Sequence, residues 1–138
     1  MSGFVVLDTT IASFLHPKKR HFPERRLYEQ HMQGRMLVLS FQTVAELLAW
    51  AEENRWGARQ RAALDEFLSR FLIVPYDLAL ARAWAKVTTR TKAIGRRLES
   101  GDAWIAATAL HRKAPLLTHD TDFTGLGLAG LEVICHAR

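Results

Sequence analysis

The sequence predicts an α/β domain in which a central, mostly parallel β-sheet is flanked by helices. Short apolar runs alternate along the chain with longer segments of helical periodicity, which is typical of this class. The run at residues 36–39 is apolar throughout, as in strands of parallel sheets that are covered on both faces. A length of 138 residues fits one domain, so we expect a single domain over residues 1–138.

Five strands are predicted from apolar runs that end at turn residues. Pro75 stops the third run, and Gly125, Gly127 and Gly130 mark the turn before the last. The predicted strands cover residues 3–7, 36–39, 72–74, 116–118 and 132–134.

Six helices are predicted between these strands. Ser40 and Asp77 are placed as N-caps, and Gly34 follows a helix end as a C-terminal cap. The predicted helices cover residues 9–15, 24–33, 41–54, 58–71, 78–92 and 102–112.

The charge and the single cysteine restrict the function classes. Nineteen Lys and Arg face 14 Asp and Glu, a net charge of +5, which favours a polyanionic partner such as nucleic acid, although simple solubility charge remains an alternative. Cys135 excludes an internal disulfide and predicts a buried structural thiol in a cytoplasmic protein. We expect neither a signal peptide nor a membrane span.

Four acidic residues are predicted to share one site. Asp8 and Asp120 follow two predicted parallel strands, and the carboxyl ends of such strands meet at one edge of a sheet. Glu46 interrupts an apolar helix, and Asp102 opens an Ala-rich one. Carboxylates that repel one another need a cation, and an oxygen-only donor set points to Mg²⁺ or Mn²⁺.

Each acid also has a simpler interpretation. Asp8 and Asp102 stand where N-caps stand, Glu46 could form a salt bridge with an arginine, and Asp120 belongs to a turn. Asp122 is a reserve ligand, and the supporting hydroxyls expected near the carboxylates are those of Thr9, Thr43 and Thr118. Ser40 is a further candidate of this kind, and such hydroxyls serve equally well as caps.

Basic residues offer a docking surface for RNA. Arg96 and Arg97 form one candidate group, and Lys18, Lys19 and Arg20 form another within a proline-bracketed loop. The alternative for each is a solvated surface charge.

Four segments together resemble the PIN domain and are most similar to the VapC toxins of prokaryotic toxin–antitoxin pairs. They are Leu7-Asp8-Thr9-Thr10, Thr43-Val44-Ala45-Glu46-Leu47, residues 101–109 beginning Gly101-Asp102-Ala103, and Leu117-Thr118-His119-Asp120-Thr121-Asp122-Phe123. The resemblance implies a PIN-like α/β/α sandwich over the whole chain. It also implies that Asp8, Glu46, Asp102 and Asp120 bind Mg²⁺ or Mn²⁺, with ribonuclease activity on structured RNA, a homodimer and a VapB-like antitoxin partner.

From the residues, Asp8, Asp102 and Asp120 are expected to hold the metal directly or through waters, and Glu46 either joins them or orients the attacking water. One ion and two ions are both consistent with the sequence. The second hypothesis is a non-catalytic PIN-like module that binds RNA or protein. A small-molecule phosphohydrolase is disfavoured because Thr10 stands where its second aspartate would be, and no P-loop or G-x-S-x-G motif is present.

Overall fold

The computed structural model describes residues 3–16 and 22–138. Its centre is a five-stranded sheet of strands β1 (Phe4–Leu7), β2 (Met36–Ser40), β3 (Leu72–Val74), β4 (Leu116–Thr118) and β5 (Val133–Cys135). The strand order is β3-β2-β1-β4-β5 and every pairing is parallel. The predicted fold class is therefore confirmed.

Six α-helices connect the strands in the described part of the chain: α1 (Thr9–Leu15), α2 (Arg25–Met32), α3 (Phe41–Glu53), α4 (Ala58–Leu68), α5 (Leu78–Ala93) and α6 (Ser100–Arg112). A short 3-10 helix, η1 (Thr121–Phe123), follows β4. Ser40 caps α3 by accepting a hydrogen bond from the Thr43 amide, and Asp77 caps α5 by accepting from the Leu80 amide, as predicted. None of the helices described is long and apolar enough to cross a membrane.

Several element boundaries differ from the sequence-based prediction by one to three residues. Helix α6 begins at Ser100, two residues before the predicted start at Asp102, and its N-cap is Glu99. Helix α4 ends at Leu68 instead of residue 71, and β5 lies one residue later than predicted. Asp102 is consequently not a cap: it lies inside the first turn of α6, where the helix dipole favours an anion.

Alternate side chains of each strand enter two separate cores. Val6, Val38 and Leu116 pack in the core that α5 and α6 cover. Val5, Leu7, Leu39 and Leu117 pack in the core that α1, α2, α3 and α4 cover. Because strand side chains point alternately to the two faces, this division makes the α/β/α sandwich. Cys135, predicted to be buried, is a half-buried free thiol in the edge strand β5.

The register of β1 on β4 determines what stands at the carboxyl edge of the sheet. Leu7 pairs with Leu117, and the amide of Asp8 donates to the Leu117 carbonyl at 3.1 Å. Asp8, directly after β1, and Thr118, the last residue of β4, are therefore the next residues along the two neighbouring strands. Asp8 and Asp120 both follow strands that end at this edge, as the sequence predicted for these two residues.

Candidate active site at the carboxyl edge of the sheet

Asp8 is the most buried of the four acids, with 4% of its surface exposed. Its Oδ1 accepts the amide hydrogen of Ile11 at 2.8 Å, which caps α1, and its Oδ2 accepts the hydroxyl hydrogen of Thr118 at 2.5 Å. Burial, with smaller contributions from the charges of Asp120 and Glu46, raises the pKa of Asp8 to about 6 despite these two hydrogen bonds. Capping and membership of an acidic cluster therefore coexist in this residue.

Asp102 is half-buried in the first turn of α6. Burial raises the pKa of its carboxyl group to about 6, and Asp120, Glu46, Glu99 and Asp8 each add to the shift through their charges. Asp8, Glu46 and Asp120 therefore lie near enough to this carboxyl group to raise its pKa through their charges.

Asp120 follows β4 and is exposed. Its Oδ1 accepts the Asp122 amide hydrogen at 2.8 Å, so the turn interpretation of Asp120 is also correct. Asp122 is exposed and lines the same cavity as Asp102 and Asp120.

Glu46 is half-buried on α3, and its Oε2 accepts a hydrogen bond of 3.0 Å from Nε2 of Gln42, one turn earlier in the helix. A salt bridge with an arginine was the alternative role predicted for Glu46 from the sequence. Among the described residues, the ion pairs are Arg25–Glu29, Arg61–Glu52 and Arg70–Glu66, and none of them includes Glu46. The salt-bridge interpretation is therefore not supported there.

The predicted threonines connect the elements that carry these acids. The Thr9 hydroxyl donates to Oγ1 of Thr43 at 3.1 Å, and Ser40 donates to the same oxygen at 3.3 Å, so the first turns of α1 and α3 are joined. Thr118 donates to Asp8 and accepts the Asp120 amide hydrogen at 3.0 Å. These hydroxyls hold the spacing between the ends of β1, β2 and β4.

A cavity of about 430 Å³ opens beside Asp102 and has both acidic and basic walls. It is lined by Arg96, Arg97, Leu98, Glu99, Asp102, Asp120 and Asp122. The Arg96 guanidinium bends back onto the turn after β4, donating to the carbonyls of Thr124 at 2.6 Å and Gly125 at 3.2 Å. Arg97, by contrast, makes no hydrogen bond to another described residue. The predicted cluster of Lys18, Lys19 and Arg20 lies outside the described residues.

The donor chemistry at this edge fits a hard divalent cation. The groups that converge are carboxylates and hydroxyls, and two of the carboxyl groups hold raised pKa values because their charges are buried near like charges. Within residues 3–16 and 22–138, no group of three or more His, Cys, Asp or Glu side chains is arranged to hold a metal ion directly.

Two residues at the site were not predicted from the sequence. Gln42 contacts Glu46, and its position four residues earlier on the same helix was the available signal. Glu99 lines the cavity and adds to the raised pKa of Asp102. It was overlooked because α6 was predicted to begin too late.

Comparison with known proteins agrees with this fold. The family model described as PIN domain matches residues 5–127. Ribonuclease VapC5 of Mycobacterium tuberculosis is 32% identical over 130 residues, covering 94% of this chain and 93% of its own length. The tRNA(fMet)-specific endonuclease VapC of Shigella flexneri is 29% identical over 84% of this chain and 86% of its own.

A solved structure extends the likeness to three dimensions. The VapBC-5 toxin–antitoxin structure from M. tuberculosis aligns with a TM-score of 0.71 and 28% identity, covering 96% of this chain and 98% of that one. The fold and its acidic edge define a PIN domain. This chain belongs to the PIN domain family and, within it, to the VapC branch.

Proposed function

We propose that this chain is a metal-dependent endoribonuclease, the toxin of a VapBC-type pair, that hydrolyses phosphodiester bonds in structured RNA of the tRNA or rRNA class. The observation that carries the proposal is that Asp8, Glu46 and Asp120, which are far apart in the sequence, all raise the pKa of Asp102 through their charges, with Asp8 and Asp120 at the ends of neighbouring strands. A scaffold gains nothing from burying carboxyl groups whose charges destabilise one another. The relatives named ribonucleases and endonucleases support the same activity.

In this proposal Asp8, Asp102 and Asp120 hold Mg²⁺ or Mn²⁺, directly or through waters, and Asp122 stands in reserve. A bound divalent ion would polarise the phosphate and ease deprotonation of water at neutral pH. Glu46 either joins the ligands or orients the attacking water. Thr118 fixes Asp8 and Asp120 relative to each other, while Thr9 and Thr43 fix α1 against α3. Arg97, which is exposed and lines the same cavity as Asp102 and Asp120, pairs with an RNA phosphate in this proposal.

Two protein partners, an antitoxin and a second copy of the chain, are inferred from the VapC branch of the family and from two features of the surface. VapC relatives are solved with antitoxins, and we infer that this chain too binds a VapB-like antitoxin in the cytoplasm. A groove of about 360 Å³ between α1 and α3 is lined by Phe14, Leu47 and Trp50 and reaches Glu46, so a peptide lying in it would end at the acidic site. The exposed apolar side chains of Leu48 and Leu78 favour a homodimer.

The test is cleavage of total RNA, including tRNA and rRNA, in Mg²⁺, Mn²⁺ or EDTA. Asp8→Asn is the inactivating variant, and Asp77→Asn is its matched control, because both aspartates cap a helix through Oδ1 and asparagine caps equally well. Discrete metal-dependent fragments from the wild type and Asp77→Asn, absent with Asp8→Asn, are expected. Equal cleavage by Asp8→Asn would contradict the proposal, and RNA binding without cleavage would favour the non-catalytic module.

A further inference from the structure

Gln42 occupies a place between the acidic site and a group of surface aromatic rings. Its Nε2 donates to Oε2 of Glu46 at 3.0 Å, and its Oε1 accepts the hydroxyl hydrogen of Tyr76 at 3.3 Å. The two contacts use the two ends of one amide. We propose that Gln42 is a positioning residue that sets the orientation of the Glu46 carboxylate, and that Tyr76 holds Gln42 in place.

The Glu46 carboxylate decides which end of the Gln42 amide faces it. Because the carboxylate only accepts hydrogen bonds, the amide nitrogen is the end that faces Glu46, and Oε1 is the end that remains for Tyr76. The reversed amide would place its carbonyl oxygen against the carboxylate oxygen, where neither atom has a hydrogen to donate. The Tyr76 hydroxyl, by donating to Oε1, holds the amide in this orientation.

Tyr76 is itself held in place, although 46% of it is exposed. Its ring lies 4.9 Å from the ring of Phe41 and 4.7 Å from that of Trp104, and Trp104 stacks on Trp84 at 5.2 Å. Contacts of this kind stabilise aromatic side chains beyond their burial. Phe41 belongs to the start of α3, and Trp84 and Trp104 belong to α5 and α6. The ring of Tyr76, in the loop before α5, is therefore held by helices that also carry Glu46 and Asp102.

Gly101 provides the space in which Gln42 and Glu46 meet. A Cβ atom at position 101 would lie 2.9 Å from Nε2 of Gln42 and 3.5 Å from Oε2 of Glu46. Gly101 is in the first turn of α6 with ordinary helical geometry, so alanine suits its backbone, and the end of a glutamine side chain can move aside. Gly101→Ala is therefore a way to displace the Gln42 amide without removing any polar group.

The orientation is tested first in the protein without metal or RNA, from the side-chain amide resonances of Gln42 in ¹⁵N-labelled protein. The Nε2 proton that donates to Glu46 is expected at lower field than the corresponding proton of an exposed glutamine such as Gln30. Glu46→Gln, Tyr76→Phe and Gly101→Ala should each move it, whereas Glu53→Gln, at an exposed position at the end of α3, should not. A Gln42 amide that is insensitive to Glu46→Gln would overturn the inference, whether or not the protein cuts RNA.

The consequence for catalysis rests on the proposed function and is tested separately. Gln42→Met keeps the length of the side chain and removes its polar atoms, and loss of one hydrogen bond to a charged group should lower kcat about tenfold. KM for RNA and the Tm should stay unchanged, and Gly101→Ala should reproduce the loss without lowering Tm. Gln30→Met, on the exposed side of α2, is the matched control.

Tyr76→Phe should lower kcat by less than Gln42→Met, and the double variant should be no slower than Gln42→Met alone, because Tyr76 acts through Gln42. Additive losses, or a loss confined to KM, would overturn the positioning role. If the wild type cuts no RNA, the proposed function fails, while the resonance of Gln42 still decides its orientation.

Discussion

The hydroxyl of Thr118 donates a hydrogen bond of 2.5 Å to Oδ2 of Asp8, 110 positions away in the sequence. The same hydroxyl oxygen accepts the amide hydrogen of Asp120 at 3.0 Å. One fully buried side chain thereby connects two of the four acids and the ends of the neighbouring strands β1 and β4. The spacing of the acidic site depends on this connection.

Thr118→Val should destabilise the protein and impair the site together. The substitution conserves shape but leaves the Asp120 amide without its acceptor and the buried Asp8 carboxylate without a donor, which costs about 1–3 kcal/mol. Urea unfolding measures the loss. Thr108→Val is the matched control, since Thr108 is equally buried but donates only to the Trp104 carbonyl of its own helix. A Thr118→Val protein as stable as Thr108→Val would contradict the prediction.

The metal-free protein should become less stable as the pH rises from about 4 to about 7. The pKa values of Asp8 and Asp102 are raised from 3.8 to about 6 in the folded state, so between these values the folded protein binds protons that the unfolded chain has released. The free energy of unfolding therefore falls with rising pH, by about 2–3 kcal/mol for the buried Asp8 and by less for the half-buried Asp102. Urea unfolding in EDTA across this range measures the slope, and an unchanged slope in an Asp8→Asn, Asp102→Asn protein would refute the assignment.

Asp8→Asn should stabilise the metal-free protein at pH 7 and abolish its response to Mn²⁺. The amide keeps the cap on the Ile11 amide through its oxygen and carries no charge into the buried site. Its nitrogen, in place of Oδ2, cannot accept the Thr118 hydroxyl hydrogen, but this loss is smaller than the cost of a buried charge at pH 7. Wild-type protein should gain thermal stability with increasing Mn²⁺ because the ion binds only the folded state. Asp77→Asn should retain that gain. A Tm of the Asp8→Asn protein that rises with Mn²⁺ as steeply as that of the wild type would exclude Asp8 as a ligand.

Arg96 and Arg97, predicted together as an RNA-binding pair, should behave differently. Arg97→Ala should weaken RNA binding at unchanged stability and lower the slope of log K against log salt by roughly 0.7, because one phosphate contact is lost. Arg96→Ala should instead cost about 1 kcal/mol of stability, since its guanidinium holds the Thr124 and Gly125 carbonyls. Filter binding at several salt concentrations and urea unfolding separate the two effects. Unchanged RNA affinity in Arg97→Ala would remove it from the docking surface.

Tyr28→Phe should destabilise the protein by about 1–3 kcal/mol. Tyr28 is 1% exposed, and its hydroxyl accepts the His136 amide hydrogen at 2.8 Å and lies 2.6 Å from Nδ1 of His119, next to Asp120. Burial raises the pKa of this phenol to about 12, so it stays protonated where an exposed tyrosine ionises. Absorbance at 295 nm during alkaline titration checks the pKa, and ionisation of Tyr28 near pH 10 would contradict the buried contact.

The carboxyl edge of the sheet was predictable because it depends on local features. Apolar runs mark the strands, and a parallel sheet collects the residues that follow its strands, such as Asp8 and Asp120, at one edge. Asp102 shows the limit of this reasoning. Ser100-Gly101-Asp102 resembles a helix start, yet α6 begins at Ser100, and Asp102 lies inside the helix instead of capping it.

By itself the sequence determined the α/β class, the order of strands and helices, and the four acids that the PIN domain resemblance unites, because these follow from periodicity, turn residues and short motifs. The tertiary structure alone decided how those acids are held. Thr118 reaches Asp8 because the register of β1 on β4 places them side by side, and Tyr76 reaches Gln42 because the loop after β3 passes the start of α3. Such contacts join residues far apart in the chain, and only the packing of the whole sheet and its helices brings their atoms together.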